Sequence, residues 1–163
     1  MSLLLRTSAG LAIATALSSP VFAQGLVSQK NIPLATAQTI AQAALAQCES
    51  MGFKVSVAVV DRGGLMIVML RGDGAGLHTP EGAERKAYTA RTFSQPSADF
   101  VKRLSDRPDT VGSRQYTRVL ALGGGLPIKA GNEVVGAVGV SGSPGKDDVC
   151  SQAGIDKVAD QLR

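Results

Sequence analysis

The chain has no tryptophan, a single histidine, two cysteines, four phenylalanines and two tyrosines in 163 residues. One imidazole cannot build a zinc or non-haem iron centre of the usual kind, and no cluster of His, Cys, Asp and Glu stands at metal-ligand spacing. Aromatics interleaved with basic residues, the mark of a nucleic-acid surface, are also missing. Arg85, Lys86 and Arg91 lie on one stretch and Lys102, Arg103 and Arg107 on the next, with acids between them, and the formal charge is only +4. These charges read as solvated helix faces, with no nucleic acid as partner. No glycine run is followed by Gly-Lys-Ser/Thr, and Gly72-Asp73-Gly74-Ala75-Gly76 does not open a helix directly after its strand, so the phosphate-cradle pattern is absent. Paired carboxylates for a hydrolase have no local support. A catalytic thiol needs a base, and His78 stands in a different kind of segment from either cysteine. No apolar run approaches the ~20 residues that a membrane-spanning helix needs.

What is present begins at the N-terminus. Arg6 supplies a positive region, Leu11-Ala12-Ile13-Ala14-Thr15-Ala16-Leu17 a short apolar core, and Val21-Phe22-Ala23 the small residues that a signal peptidase reads. Residues 1–23 thus read as an export signal cut after Ala23, and the working protein begins at Gln24. It is expected in the periplasm or outside the cell, with no membrane attachment after cleavage. In an oxidising compartment an even pair of cysteines reads first as a disulfide, here Cys48 with Cys150.

Residues 24–33 look like an extended arm ending at Pro33. Ala37, Ile40, Ala41, Ala44, Leu45 and Cys48 then recur at three- and four-residue intervals up to Gly52, which predicts an amphipathic helix with a glycine stop. Residues 54–61 are β-branched and 65–70 are apolar. With Arg62-Gly63-Gly64 between them they predict a β-hairpin, Asp61 serving the turn. A glycine-rich loop over 72–79 precedes a helix over 80–93 with Pro80 in its first turn. A shorter helix covers Ser97 to Leu104, and residues 105–117 are polar and carry Pro108 and Gly112, the look of a surface excursion. Residues 119–122 and 126–129 around Gly123-Gly124-Gly125 read as two strand pieces about a bend, or as one strand with a bulge. A turn at 130–132, a strand from Glu133 to Val140, a loop over 141–145 and a closing helix with Cys150, Gly154, Ile155, Val158 and Leu162 inward complete the chain.

Helix, two strands, two helices, two or three strands, helix, with short connections, is the order of an α+β sandwich with an antiparallel sheet. If the first and last helices pack antiparallel on one sheet face, Cys48 and Cys150 meet at adjoining ends. A bridge there closes a loop of about 100 residues, for which chain entropy allows up to ~4–5 kcal/mol.

Five segments taken together resemble the GlcG/HbpS family. They are Val57-Ala58-Val59-Val60-Asp61-Arg62-Gly63-Gly64, Arg71-Gly72-Asp73-Gly74-Ala75, Arg85-Lys86-Ala87-Tyr88-Thr89-Ala90, Gly123-Gly124-Gly125-Leu126-Pro127-Ile128 and Val135-Gly136-Ala137-Val138-Gly139-Val140-Ser141-Gly142. They stand in the family's order and make residues 34–163 one domain of that type. The resemblance implies an antiparallel sheet flanked by helices, similar to profilin- and roadblock-like sandwiches, assembled into homo-oligomers and associated with haem. Many relatives are cytoplasmic, so the export signal and the cysteine pair set this chain apart.

A haem site needs an axial ligand, an apolar slot and cations for the propionates. His78, the only imidazole, is the metal-ligand candidate, and Tyr88 is the alternative oxygen ligand. Arg85 and Lys86 on the following helix are candidates for the propionates. The plainer readings are an exposed or capping His78, helix-surface charges at Arg85 and Lys86, and a packing role for Tyr88. Gly124 and Gly125 mark either a close passage of backbone over backbone or the approach of a ligand. The expectation is an exported haem-binding protein, a binder rather than a catalyst because no redox group or flavin site is visible. The alternatives are a sensor or carrier for a small organic acid, with Arg85 and Lys86 meeting the carboxylate, and an accessory subunit docking on a periplasmic oxidoreductase or sensor.

Overall fold

A computed structural model describes residues 25–163; the expected export segment, 1–23, lies outside the described residues. Residues 25–33 form no regular structure, yet the end of this arm is fixed to the sheet. Ile32 N–H donates to Val135 O at 3.3 Å, and Asn31 Oδ1 accepts from the N–H groups of both Ile32 and Arg62 at 2.9 Å. Ile32 is buried where Gly136 has no side chain: a Cβ there would stand 2.9 Å from Ile32 Cγ2.

Helix α1 (Leu34–Ser50) buries Ala37, Ile40, Ala41, Ala44 and Cys48, the three-and-four spacing of an amphipathic helix. Gly52 follows it at φ +81°, a conformation that glycine takes without steric cost. Strands β1 (Ser56–Asp61) and β2 (Met66–Arg71) pair antiparallel with a bulge between Val59 and Val60. Asp61 holds the hairpin turn, its Oδ1 accepting Leu65 N–H at 2.9 Å. After α2 (Thr79–Phe93) and α3 (Ser97–Asp106), Pro108–Gln115 winds as an exposed 3₁₀ turn. Strands β3 (Gly125–Ala130) and β4 (Glu133–Ser141) pair antiparallel, and α4 (Asp147–Asp156) ends in a second 3₁₀ turn at Ala159–Leu162.

The sheet order is β2-β1-β4-β3, antiparallel throughout, the α+β sandwich expected. Alternation along β1 divides the core. Val57 and Val59 join Ile40, Ala44, Val138, Val140 and Val158 beneath α1 and α4, whereas Val60 joins Ala87, Ala90 and Ala137 beneath α2. Helix α2 lies unusually close to the sheet because both surfaces are small. A Cβ on Gly139 would collide with Ala83 O, and one on Gly125 with Lys86 O.

This close approach corrects the reading of residues 119–122. They form no strand, and a single strand begins at Gly125. Their polar groups go to α2 instead: Arg85 donates to Val119 O at 2.9 Å, and Leu120 N–H donates to Thr89 Oγ1 at 2.8 Å. Backbone satisfied by a helix has no need of a neighbouring strand.

The disulfide joins Cys48 to Cys150, with Cα atoms 5.5 Å apart and both residues wholly buried. The antiparallel packing of α1 on α4 continues to Gly154, where a Cβ would press within 2.6 Å of Ile40 O. Among the described residues no helix is long and apolar enough to cross a membrane.

Candidate functional site

A cavity of about 620 Å³ opens between the loop before α2, the glycine run before β3 and the loop joining β4 to α4. Its volume lies within the ordinary range for small-molecule sites. The side chains that give it chemistry are Lys54, His78, Lys86, Leu122, Asp147 and Asp148, and Ser141, Gly142, Pro144 and Gly145 line it from the loop after β4.

The start of α2 is anchored by Thr79, whose hydroxyl donates to Gly76 O at 2.7 Å and lies 2.8 Å from Ser56 Oγ. This places His78 at the helix N-cap, exposed on the cavity wall, with its ring against Gly76 and without a capping hydrogen bond. Two turns on, the register of α2 turns Lys86 inward. The residue is 4% exposed, and its Nζ donates to Asp147 Oδ2 at 2.7 Å and to Val140 O at 3.1 Å. Asp147 is buried too, and its Oδ1 accepts from Ser143 N–H at 2.9 Å and Ser143 Oγ at 2.7 Å. A buried charge survives only with such partners. Ser143 Oγ lies 3.2 Å from Cys48 Sγ, so one continuous chain of contacts runs from the disulfide to the cavity floor.

The glycine run packs backbone against its neighbours. Gly124, at φ +114°, gives its N–H to Asp148 Oδ1 at 2.8 Å and accepts Val140 N–H and Ser151 Oγ on its carbonyl. A Cβ on it would stand 2.6 Å from that of Asp147. Gly123 lines the cavity, whereas Gly124 and Gly125 lie behind that wall.

Of the residues singled out from sequence, the fold brings His78 and Lys86 to one cavity. Arg85 faces elsewhere: it is held by Glu81 Oε1 and Val119 O, both at 2.9 Å, in a polar groove with Arg114 and Tyr116. Tyr88 lies under Arg118, whose guanidinium carbon is 4.1 Å from the ring centroid, and against Gly64. That cation–π contact holds Arg118 at φ +71°, with further bonds to Gly64 O and Glu84. Sequence reading missed Lys54, Ser143 and Asp147. Asp147 resembles an ordinary acid in a first helical turn, and its pairing with Lys86 is visible only once the fold buries that lysine.

Among the described residues no three His, Cys, Asp or Glu side chains gather to hold a bare metal ion. The set in the cavity fits haem better: the porphyrin brings four nitrogens of its own, and the protein has to add an axial imidazole and cations for two propionates. His78, Lys54 and Lys86 are the cavity residues whose chemistry could supply such groups. Apolar surface on the cavity lining is offered by Leu122, 55% exposed, and Pro144.

This chain is similar to several known proteins. An uncharacterised 15.0 kDa protein of Citrobacter freundii, encoded between dhaT and dhaS, is 34% identical over 120 residues, which cover 72% of this chain and 84% of that protein. The crystal structure of a double mutant of Streptomyces reticuli HbpS superposes with a TM-score of 0.77 at 37% identity, covering 86% of this chain and 97% of that one. The PduOC:haem complex shares the fold, with a TM-score of 0.70 at 23% identity over 78% of this chain and 94% of that one. The family described as haem degrading protein HbpS-like matches residues 32–156, and the chain belongs to that HbpS-like family.

Proposed function

We propose that this chain is an exported haem-associated binding protein, cut after Ala23, with His78 as the protein's ligand to the haem iron. The carrying observation is the placement of His78 on the wall of a cavity that Lys54 and Lys86 also line. Membership of the HbpS-like family supports the choice of haem, and so does the PduOC:haem complex, a haem complex of a protein with this fold. Bound haem would supply the redox chemistry of its iron. The protein's part is to present an imidazole, to meet the propionates with cations and to hold the loop over 141–147 in place. Lys86 and Asp147 are held by fixed bonds to each other and to Val140 and Ser143, an arrangement for holding rather than for moving protons.

Titration of the mature, oxidised protein with haem tests this reading. A shifted Soret band at micromolar haem is expected, with the shift lost or moved in His78→Ala. No shift, or an identical one in the variant, would sink the assignment.

A further inference from the structure

We infer that the floor of the cavity is a carboxylate-binding subsite formed by the remaining N–H of Lys86 and the ammonium of Lys54. It rests on the haem-associated reading only for the source of the carboxylate, since a porphyrin propionate and a free dicarboxylic acid present the same group. An ammonium has three donors. Lys86 uses two of them, on Asp147 Oδ2 and Val140 O, while its side chain lines the cavity and is almost wholly shielded from water. Asp147 fixes this ammonium in place, and both of its oxygens are occupied, Oδ2 by Lys86 and Oδ1 by the two donors of Ser143. The remaining donor has no protein acceptor among the described residues and lies in a low-dielectric setting, where a charge-assisted bond to a carboxylate is strong.

Lys54 adds the second cation. It is exposed on the cavity lining, and among the described residues it pairs with no carboxylate. The opposing charge is Asp148, which gives one oxygen to Gly124 N–H. Asp148→Asn keeps that acceptor while removing the negative charge, so it is expected to tighten carboxylate binding.

The test titrates metal-free protoporphyrin IX and its dimethyl ester by fluorescence, and succinate by thermal shift, against the mature oxidised protein. The subsite predicts that the ester binds about tenfold more weakly than the free acid. Lys54→Met, and the double variant Lys86→Met with Asp147→Asn, which leaves no buried charge unpaired, are expected to erase that preference. A preference for the free porphyrin with no effect of succinate assigns the subsite to propionates. Stabilisation by succinate that Lys54→Met removes, in a protein showing no Soret shift with haem, discards the haem reading and keeps the subsite. Equal binding of acid and ester together with no shift by succinate overturns it, as does a preference unchanged in both variants.

Discussion

Lysine is almost never fully buried unless it is paired, and Lys86 meets that condition through a carboxylate 61 positions away in sequence. Removing the lysine alone leaves Asp147 charged in the interior. Lys86→Met is accordingly expected to destabilise the fold by about 3–5 kcal/mol, and its combination with Asp147→Asn by clearly less. Denaturant melts of the two variants check this, and equal losses would show that the pair is not energetically coupled. Arg85, the next residue back, makes the contrast. From sequence the two are adjacent helix cations with the same prospects. A rotation of about 100° per residue about the α2 axis sends one into the cavity and the other to Glu81 and Val119. Tyr88 separates from the site for the same reason, its ring covered by Arg118.

At the scale of elements, α1 and α4 are joined by the wholly buried disulfide, which also touches the loop before α4 through Ser143. Cys48→Ser with Cys150→Ser is expected to lower stability by about 2–5 kcal/mol. If the contact of Ser143 with the bridge steadies the cavity floor, the same double variant should also bind protoporphyrin IX more weakly. Thermal melts and the fluorescence titration check the two effects, and an unchanged affinity would confine the bridge to a stabilising role. The helices and the first hairpin were legible because each carries its own period: threes and fours in α1, alternation and a turn aspartate in β1 and β2. Residues 119–122 were not, since Val-Leu-Ala-Leu suits a strand locally. What decided against one was the hydrogen bonding of Val119 and Leu120 to α2, a contact made more than 25 positions away in sequence. The glycine run was legible as a place needing no side chains, and only the packing of α2 showed that helix backbone takes up the space.

For the whole molecule, β2 is an edge strand with Met66 46% exposed, next to Leu65 at 63%. An open apolar edge is a place where chains associate, and we propose that the mature protein is a homo-oligomer. Protein recovered from an exporting host is expected to begin at Gln24 by intact mass, to contain no free thiol, and to elute in light scattering at a multiple of the chain mass. A retained N-terminal segment would refute the export reading, and a single-chain mass the oligomer.

By itself the sequence determined the helices and the first hairpin, the antiparallel α+β class, the family and the cysteine pairing, because each of these follows from local periodicity, composition or ordered motifs. Tertiary structure decided which candidates share a cavity. His78 and Lys86 do, Arg85 and Tyr88 do not, Lys54 and Asp147 join them, and Ser143 supports Asp147 from behind. The physical reason is that a site is defined by helix rotation and by the partners a buried charge finds across the fold, and neither is written in the spacing of neighbouring residues.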